Sequence, residues 1–282
     1  MKSFNSRLNS LILLLVFPAI ILSQQSLSYD SITTSEKIVN DFNLSLNNNL
    51  NYFSHPSEFQ TSDWLMFSGI VVSSGLLMTI DDEVRKGVRA NQTNFQNDFS
   101  KIGKYYGEFY SLFGIPLSIY GSGLLFKSEE LRTTGRILIE SLIAAGITTT
   151  AIKVIAGRGR PKKNKGEFDF NFFEIKNINA SLPSGHSTVA FTISTVLSER
   201  IDNIYASIAL YGLASLTAYQ RVYSNNHWPS DTFLAAAIGI TAGKFFSNLE
   251  VGKEEKIQNK FSYKILPNIN SSNVGFLIQI QF

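Results

Sequence analysis

The chain has 282 residues, of which 44% are hydrophobic, and a formal net charge of +3. Because Lys2 and Arg7 account for two of these charges and lie in a leader-like segment, the rest of the chain is close to neutral, and a nucleic-acid partner is not expected. The sequence contains no cysteine, which excludes disulfides, thiolate metal sites and cysteine-nucleophile hydrolases. Its three histidines are too few for the His-rich centre of a binuclear hydrolase, so we expect neither a metal nor another cofactor.

Residues 1–23 have the pattern of a secretory signal peptide. Lys2 and Arg7 form a positive segment, Leu11–Leu22 is an apolar run, and Ser23 supplies a small residue for cleavage. The pattern therefore predicts export to the cell envelope. An uncleaved membrane anchor is the alternative interpretation of the same segment.

Residues 24–62 are polar and rich in asparagine and serine. This composition predicts a loosely ordered arm with one helix around Asp41–Phe53. The arm carries His55, which stands beside Pro56 with no partner pattern around it. We interpret His55 as a solvated loop histidine rather than as a site residue.

Six apolar segments follow and are helical by length and composition. They predict an all-α bundle of about six core helices in a domain over residues 63–250, with polar connections such as Asp81–Glu108. Several segments are shorter than the roughly 20 apolar residues that a membrane span needs, and the mean hydropathy is only +0.04. A membrane bundle and a soluble bundle therefore both fit. The segments are Trp64–Ile80, Tyr110–Phe126, Ile137–Ala156, Ser187–Ile201, Ile204–Gln220 and Thr232–Ser247.

The C-terminal residues, 251–282, change character. Phe261–Pro267 and Val274–Phe282 flank a turn rich in asparagine and serine, and the second segment alternates in side-chain type. Alternation with a period of two is typical of a strand. The segment therefore predicts a short β-hairpin that lies on the helical core.

The residues that carry chemistry lie in three polar interruptions beside the apolar helices. Lys153, Arg160 and Arg221 supply cations, and a guanidinium group is well suited to binding a tetrahedral oxyanion. Ser184 and Gly185 stand at a helix N-terminus, where free backbone N–H groups favour an anion. Together these residues predict a phosphate pocket that is assembled from three separate stretches.

Two histidines and one aspartate complete this set. Asp231 follows His227 by four residues, and a carboxylate bonded to one ring nitrogen would leave the other free to attack phosphorus. His186, at the start of another helix, can protonate the leaving oxygen and later activate water. Each feature alone has an ordinary structural explanation: Lys153 and Arg160 as cations at a helix end, Pro183-Ser184-Gly185 as a turn, and His227 with Asp231 as a surface ion pair. Their joint occurrence beside three helix ends favours catalysis.

At these positions the chain resembles the type 2 phosphatidic acid phosphatase family, which includes bacterial non-specific acid phosphatases and shares its site with vanadium haloperoxidases. The resemblance covers residues 137–245 and departs from the family pattern at Gln220, where the family has serine. The departure bears on substrate preference rather than on activity. The matching residues are Lys153 with Arg160-Pro161, then Pro183-Ser184-Gly185-His186, then Arg221 with His227 and Asp231.

The resemblance implies an all-helical core and a phosphohistidine intermediate on His227, oriented by Asp231, with His186 as the acid and base. It predicts a metal-independent phosphatase that hydrolyses phosphate monoesters or pyrophosphates, with lipid-linked esters as the expected substrates. Membrane association and a site that faces the periplasm are the matching expectations. A soluble periplasmic acid phosphatase, a vanadate-dependent haloperoxidase and a non-catalytic phosphate-binding protein are the alternatives, and the ester and the oligomeric state stay open.

Overall fold

The computed structural model describes residues 33–90, 93–174, 176–258, 262–270 and 273–281. The predicted signal peptide, residues 1–23, lies outside the described residues. The described part of the chain forms nine α-helices followed by two strands. The helices are α1 Thr34–Ser54, α2 Thr61–Met78, α3 Asp81–Ala90, α4 Asn94–Tyr106, α5 Phe109–Leu125, α6 Glu129–Ala156, α7 Gly185–Ile201, α8 Ile204–Tyr223 and α9 Pro229–Gln258, and the strands are β1 Ser262–Asn270 and β2 Asn273–Gln281.

Side-chain caps set the starts of several helices. Thr33 and Glu36 form a capping box at the start of α1, and Ser128 accepts from the Leu131 N–H at the start of α6. Such caps satisfy backbone N–H groups that have no partner within the helix. At the other end of α6, Gly157 adopts a left-handed conformation with φ of 55°. A glycine there ends the helix without a steric penalty and turns the chain toward Arg160.

Helix α6 lies at the centre of the bundle. Its buried residues Ile137, Leu138 and Leu142 pack with Ile193 of α7 and Phe246 of α9. Truncating one such leucine to alanine typically costs about 2–5 kcal/mol because the core does not collapse fully around the cavity. The helical core that the sequence predicts is confirmed.

Close packing of α7 against α9 brings two parts of the site together. A Cβ atom on Gly239 would lie 2.8 Å from the carbonyl oxygen of Thr188, and one on Gly243 would lie 2.8 Å from Cβ of Thr195. Both positions therefore require glycine for the two helices to approach this closely. The same approach lets the N–H of Ser184, at the start of α7, donate to the carbonyl oxygen of Asp231 in α9 at 3.0 Å.

The structure has more helices than the predicted six core helices because two polar segments contain three further helices. The segment Asp81–Glu108, expected to be a connection, contains α3 and α4, and the helix predicted around Asp41–Phe53 is longer than expected and forms α1. In α1 the polar face is the buried one, since Asp41 and Asn48 are 8% and 6% exposed. A pattern search that looks for an apolar buried face does not show which side of such a helix packs inward.

At the C-terminus, β1 and β2 pair in antiparallel register from Ser262 opposite Gln281 to Asn270 opposite Asn273. This is the segment for which the sequence predicts a hairpin.

Three described helices are long and apolar enough to cross a membrane by length and composition: Thr61–Met78, Glu129–Ala156 and Pro229–Glu250. In α2 the apolar side chains point outward, and Leu65 and Leu76 are 69% and 65% exposed. Large exposed apolar surfaces of this kind are rare on proteins surrounded by water. The arrangement supports membrane association.

Candidate active site

The three motif stretches meet at one end of the bundle. Lys153, in the last turn of α6, donates to the carbonyl oxygens of Ala180 and Pro183, just before α7. Nη1 of Arg160 lies 3.4 Å from Nε2 of His227. The structure therefore brings together residues from the end of α6, the start of α7 and the loop between α8 and α9.

His227 is buried, with 2% of its surface exposed, and its two ring nitrogens have different surroundings. Nδ1 lies 2.7 Å from the carbonyl oxygen of Ser181. A carbonyl oxygen only accepts hydrogen bonds, so Nδ1 carries the proton and Nε2 keeps its lone pair. This unprotonated nitrogen faces Arg160, on the side where a bound anion would lie.

The hydrogen-bond partner of His227 differs from the one predicted from its spacing to Asp231. Nδ1 and the Asp231 carboxylate oxygen Oδ2 are 3.7 Å apart, which is too long for a hydrogen bond. The carboxylate instead accepts from the Ser181 hydroxyl at 2.5 Å and from the Trp228 N–H at 2.8 Å. Asp231 therefore positions the backbone on both sides of the imidazole and acts on the ring itself through its charge.

Arg158 holds Asp231 from the opposite side and was not among the predicted site residues. Its Nη1 donates to Asp231 Oδ1 at 2.7 Å, and its Nη2 donates to Asp81 Oδ2 at 2.7 Å. Asp81 also accepts from the N–H of Ser230 at 2.8 Å. Arg158, Asp81 and Asp231 are all fully buried, so this chain of charges is shielded from water.

One sequence signal could have identified Arg158. It stands two residues before Arg160, and the residue between them, Gly159, forms a backbone hydrogen bond with Asp169. In the structure Arg158 is fully buried and Arg160 lies beside Nε2 of His227, so a second arginine next to the motif arginine is the sequence signal for a supporting role. No comparable signal points to Asp81, which belongs to α3, or to Ser181, which contributes a backbone oxygen.

Among the described residues, no carboxylate forms an ion pair with Arg160 or Arg221, the two arginines predicted to bind phosphate. Arg160 donates through Nε and Nη2 to the Asn177 carbonyl and side-chain oxygens, each at 2.8 Å. Arg221 is 7% exposed, and its Nε has no hydrogen-bond partner among the described residues. Burial, with repulsion from Arg160 as a second cause, lowers the pKa of Arg221 to about 10, against a smaller pull from Glu108. Burial also lowers the pKa of Arg160. A buried guanidinium with an unpaired donor is well suited to bind an anion.

Both pocket histidines are neutral at pH 7 while the pocket holds no anion. Burial, then the positive charge of Arg221, lowers the pKa of His186 to about 3. Burial likewise lowers the pKa of His227 to about 4, although Asp231 acts in the opposite direction. A bound phosphate would reverse part of this effect by adding negative charge beside both rings.

Ser184 and Gly185 shape the start of α7. The Ser184 hydroxyl oxygen accepts from the Ser187 hydroxyl at 3.0 Å and caps the helix, which leaves its own proton available to a phosphate oxygen. A Cβ atom on Gly185 would lie 4.0 Å from Cε of Lys153, so the glycine stands next to that cation. All eight predicted site residues therefore lie at or beside this end of the bundle.

In the described part of the chain, no group of three or more His, Cys, Asp or Glu side chains could hold a metal ion.

The part of the chain that carries these residues is similar to known proteins. Residues 134–253 match the family model of the PAP2 superfamily. A lipid A 1-phosphatase of Porphyromonas gingivalis is 25% identical over 182 residues, which cover 62% of this chain. The match spans 36% of the length of that curated relative.

Two solved structures are also similar. The crystal structure of LpxE from Aquifex aeolicus has a TM-score of 0.47 and 25% identity, over 60% of this chain and 95% of that chain. A transmembrane PAP2-type phosphatidylglycerolphosphate phosphatase from Bacillus subtilis has a TM-score of 0.47 and 18% identity, over 78% of this chain and 96% of that chain.

Proposed function

We propose that this chain, whose residues 134–253 belong to the PAP2 superfamily, is a metal-independent phosphatase that hydrolyses phosphate monoesters or pyrophosphates of lipid-linked substrates. One observation carries the proposal. Nε2 of His227 keeps its lone pair because Nδ1 donates a hydrogen bond to the Ser181 carbonyl oxygen, and it lies 3.4 Å from Arg160, a cation with no carboxylate ion pair among the described residues. A nucleophile beside an anion site is the arrangement that phosphoryl transfer needs.

In the first step Nε2 of His227 attacks phosphorus, and the bond between phosphorus and the leaving oxygen breaks. His186 donates a proton to that oxygen, so the product leaves as an alcohol or as a phosphate. His186 can hold this proton once the substrate is bound, since the negative charge of the phosphate raises its pKa. Lys153, Arg160 and Arg221 stabilise the charge on the remaining phosphate oxygens.

In the second step a water molecule attacks the phosphohistidine. His186 accepts a proton from this water, the bond between Nε2 and phosphorus breaks, and inorganic phosphate leaves. While the intermediate exists, the His227 ring carries additional positive charge at Nδ1. The Ser181 carbonyl oxygen at 2.7 Å and the Asp231 carboxylate at 3.7 Å both favour that charge.

Two observations support a lipid-linked substrate. The relative from Porphyromonas gingivalis is named for its action on lipid A. Two of the three helices that could cross a membrane also have an end at the pocket, since α6 ends just after Lys153 and α9 begins just before Asp231. If these helices cross the bilayer, the pocket lies at the depth of the lipid headgroups. We further propose, from the leader pattern, that this end faces the periplasm.

Loss of the nucleophile tests the proposal. The variant His227→Ala should lower hydrolysis of an aryl phosphate and of a lipid phosphomonoester by about 10³-fold or more. EDTA should leave the activity of the parent protein unchanged. To detect the intermediate, the reaction with labelled substrate should not be quenched in acid, because a phosphohistidine is lost in acid. Quenching in alkali should trap label on the parent but not on the variant.

The matched control is His55→Ala, since the His55 side chain is half exposed and packs against Phe59 and Phe245 rather than in the pocket. This variant should keep full activity. If His227→Ala stays active, or if EDTA abolishes the activity of the parent, the proposed mechanism is wrong.

A further inference from the structure

The loop between Arg160 and α7, residues 161–180, exposes an unusual amount of aromatic surface. Phe168, Phe172 and Phe173 are 58%, 67% and 72% exposed. None of the three contributes to the pocket described above. Exposed phenylalanines grouped within a few residues mark a surface that contacts something other than water.

These side chains are held outward by a folded loop. The N–H of Asn171 donates to the Gly157 carbonyl oxygen at 2.9 Å, and the N–H of Gly159 donates to the Asp169 carbonyl oxygen at 2.7 Å. Phe173 has a φ of 62°, in the left-handed region that a bulky residue rarely adopts. Positions with such backbone strain tend to have a function, because the surrounding structure must hold them there.

The exposed rings lie at the end of a candidate membrane span. The N–H of Phe173 donates to the carbonyl oxygen of Ile155 at 3.4 Å, in the last turn of α6. Ile155 is itself 53% exposed, so the apolar surface continues from the helix onto the loop. Aromatic side chains at the end of a span are typical of the boundary between the lipid headgroups and the acyl chains.

The charges of the loop fit an anionic partner. Lys163 is paired with Asp169 at 2.5 Å, and Lys176 is paired with Glu174 at 2.5 Å. Lys165 is exposed and has no carboxylate partner among the described residues. Lys162 is exposed as well and donates to the side-chain oxygen of Asn226, next to His227, at 3.3 Å. Two lysines that form no ion pair among the described residues, beside exposed aromatic rings, suit a layer of lipid phosphates.

We propose that the 161–180 loop binds the surface of an anionic lipid bilayer, with Phe168, Phe172 and Phe173 inserted at the headgroup boundary and Lys165 close to lipid phosphates. The loop thereby holds the mouth of the phosphate pocket at the level of its substrate. The expected effect on catalysis rests on the proposed function. The loop should promote hydrolysis of a lipid ester in a bilayer and have no effect on hydrolysis of a soluble ester.

Paired kinetic measurements on the full chain test the inference. In the double variant Phe172→Asn/Phe173→Asn, asparagine tolerates the left-handed backbone of residue 173. We expect kcat/KM for a lipid phosphomonoester in phosphatidylglycerol vesicles to fall about tenfold, while kcat/KM for a soluble aryl phosphate stays within about twofold. The variant Lys165→Gln should lose a smaller factor, and only in anionic vesicles and not in phosphatidylcholine vesicles.

The control variant is Phe126→Asn, because Phe126 is 63% exposed and follows α5, away from the loop. It should leave the ratio of the two activities unchanged. A double variant with an unchanged ratio, or a control variant with an equal loss on the lipid ester, would overturn the inference while the proposed function stands.

A second measurement does not depend on activity. The chain has two tryptophans, of which Trp228 is 2% exposed and Trp64 is 50% exposed. In a Trp64→Phe background, the variant Phe172→Trp should be quenched by lipids brominated near the headgroup end of the acyl chain. Absence of quenching would contradict insertion. If the parent protein hydrolyses neither ester, the proposed function fails, and the quenching result still decides whether the loop binds lipid.

Discussion

Helix α6 has a buried cluster of charged side chains at each end, and the two clusters are neutralised differently. At its N-terminal end, Arg136 is 4% exposed and donates to Glu140 and to Glu250, each at 2.8 Å. Arg132, one turn earlier, donates to Asp41 at 2.5 Å. Each of these guanidinium groups meets at least one carboxylate, so the cluster has no evident capacity for a further anion.

At the C-terminal end of α6, one arginine is neutralised in the same way and the others are not. Arg158 binds Asp81 and Asp231. Arg160 and Arg221 donate to carbonyl and amide oxygens, which do not neutralise a positive charge. Burial alone therefore does not distinguish a functional charge cluster from a structural one. The distinguishing feature is an excess of cations in a place where they can meet a ligand.

The largest effects should come from the two arginines that are neutralised. The substitutions Arg158→Met and Arg136→Met each remove the guanidinium group from two carboxylates, both fully buried for Arg158 and one of them, Glu140, fully buried for Arg136, and the loss of such a buried partner typically costs about 3–5 kcal/mol of stability. Thermal unfolding in detergent should show a similar loss for both variants. Activity per folded molecule should fall only for Arg158→Met, since Asp231 then loses the contact that positions the backbone around His227.

Equal losses of specific activity in these two variants would contradict the distinction drawn between the clusters. A kinetic measurement on the folded protein separates a role in positioning His227 from general destabilisation. The rate of phosphohistidine formation should fall for Arg158→Met, and the more conservative Arg158→Lys should restore part of it.

The next effect concerns the cations without carboxylates. The variant Arg221→Lys keeps the charge but replaces the planar fork with a single ammonium group, and we expect kcat/KM to fall about 10²-fold. Stability should not fall, because Arg221 forms no ion pair with a carboxylate among the described residues and is repelled by Arg160. The matched variant is Arg132→Lys at the other end of α6, which should lower the melting temperature and leave kcat/KM unchanged. The opposite pattern in either variant would contradict the assignment.

The sequence predicts the residues of the phosphate pocket but not the residues that support them or the N-terminal cluster. Five site residues could be predicted because each lies in a short polar motif beside an apolar helix, and the motif is recognised by its residue types and their spacing. These residues are Lys153, Arg160, His186, Arg221 and His227. These motifs converge because consecutive helices pack against each other in opposite directions, which brings the end of α6, the start of α7 and the α8–α9 loop to the same end of the bundle.

Asp81, Ser181 and the N-terminal cluster could not be predicted in the same way. Asp81 lies in a segment that resembles a polar connection, and its hydrogen bonds to Arg158 and Ser230 join positions far apart in the chain. Ser181 contributes a carbonyl oxygen to His227, and a backbone oxygen has no residue type to recognise. In α1 the face toward the core is polar, with Asp41 paired to Arg132, so hydrophobic periodicity does not reveal how that helix packs.

A smaller effect should appear when an anion fills the pocket. Inorganic phosphate or vanadate at about 100 times its Kd should stabilise the protein by about 2.7 kcal/mol. The shift in melting temperature should shrink in Arg221→Lys and persist in Arg132→Lys, since only the first residue belongs to the pocket. An undiminished shift in Arg221→Lys would mean that the anion binds elsewhere.

The smallest effect is the dependence of stability on pH in the absence of an anion. His186 has a lowered pKa of about 3 in the folded protein because it is buried and faces Arg221, His227, Arg160 and Lys153, whereas a histidine in the unfolded chain keeps its ordinary pKa of 6.5. As the pH falls below 6.5, the unfolded chain binds the proton first, so the folded state loses stability relative to it. A histidine that stays neutral when folded costs about 1 kcal/mol of stability between pH 7.5 and 5.5. The variant His186→Gln should therefore show a flatter dependence of melting temperature on pH than the parent. Bound phosphate should flatten the dependence in the parent as well, because its charge favours the protonated ring. If the parent protein instead became more stable on acidification over this range, the pocket would hold its histidines in the charged form. The excess of cations would then not determine the protonation state of these histidines.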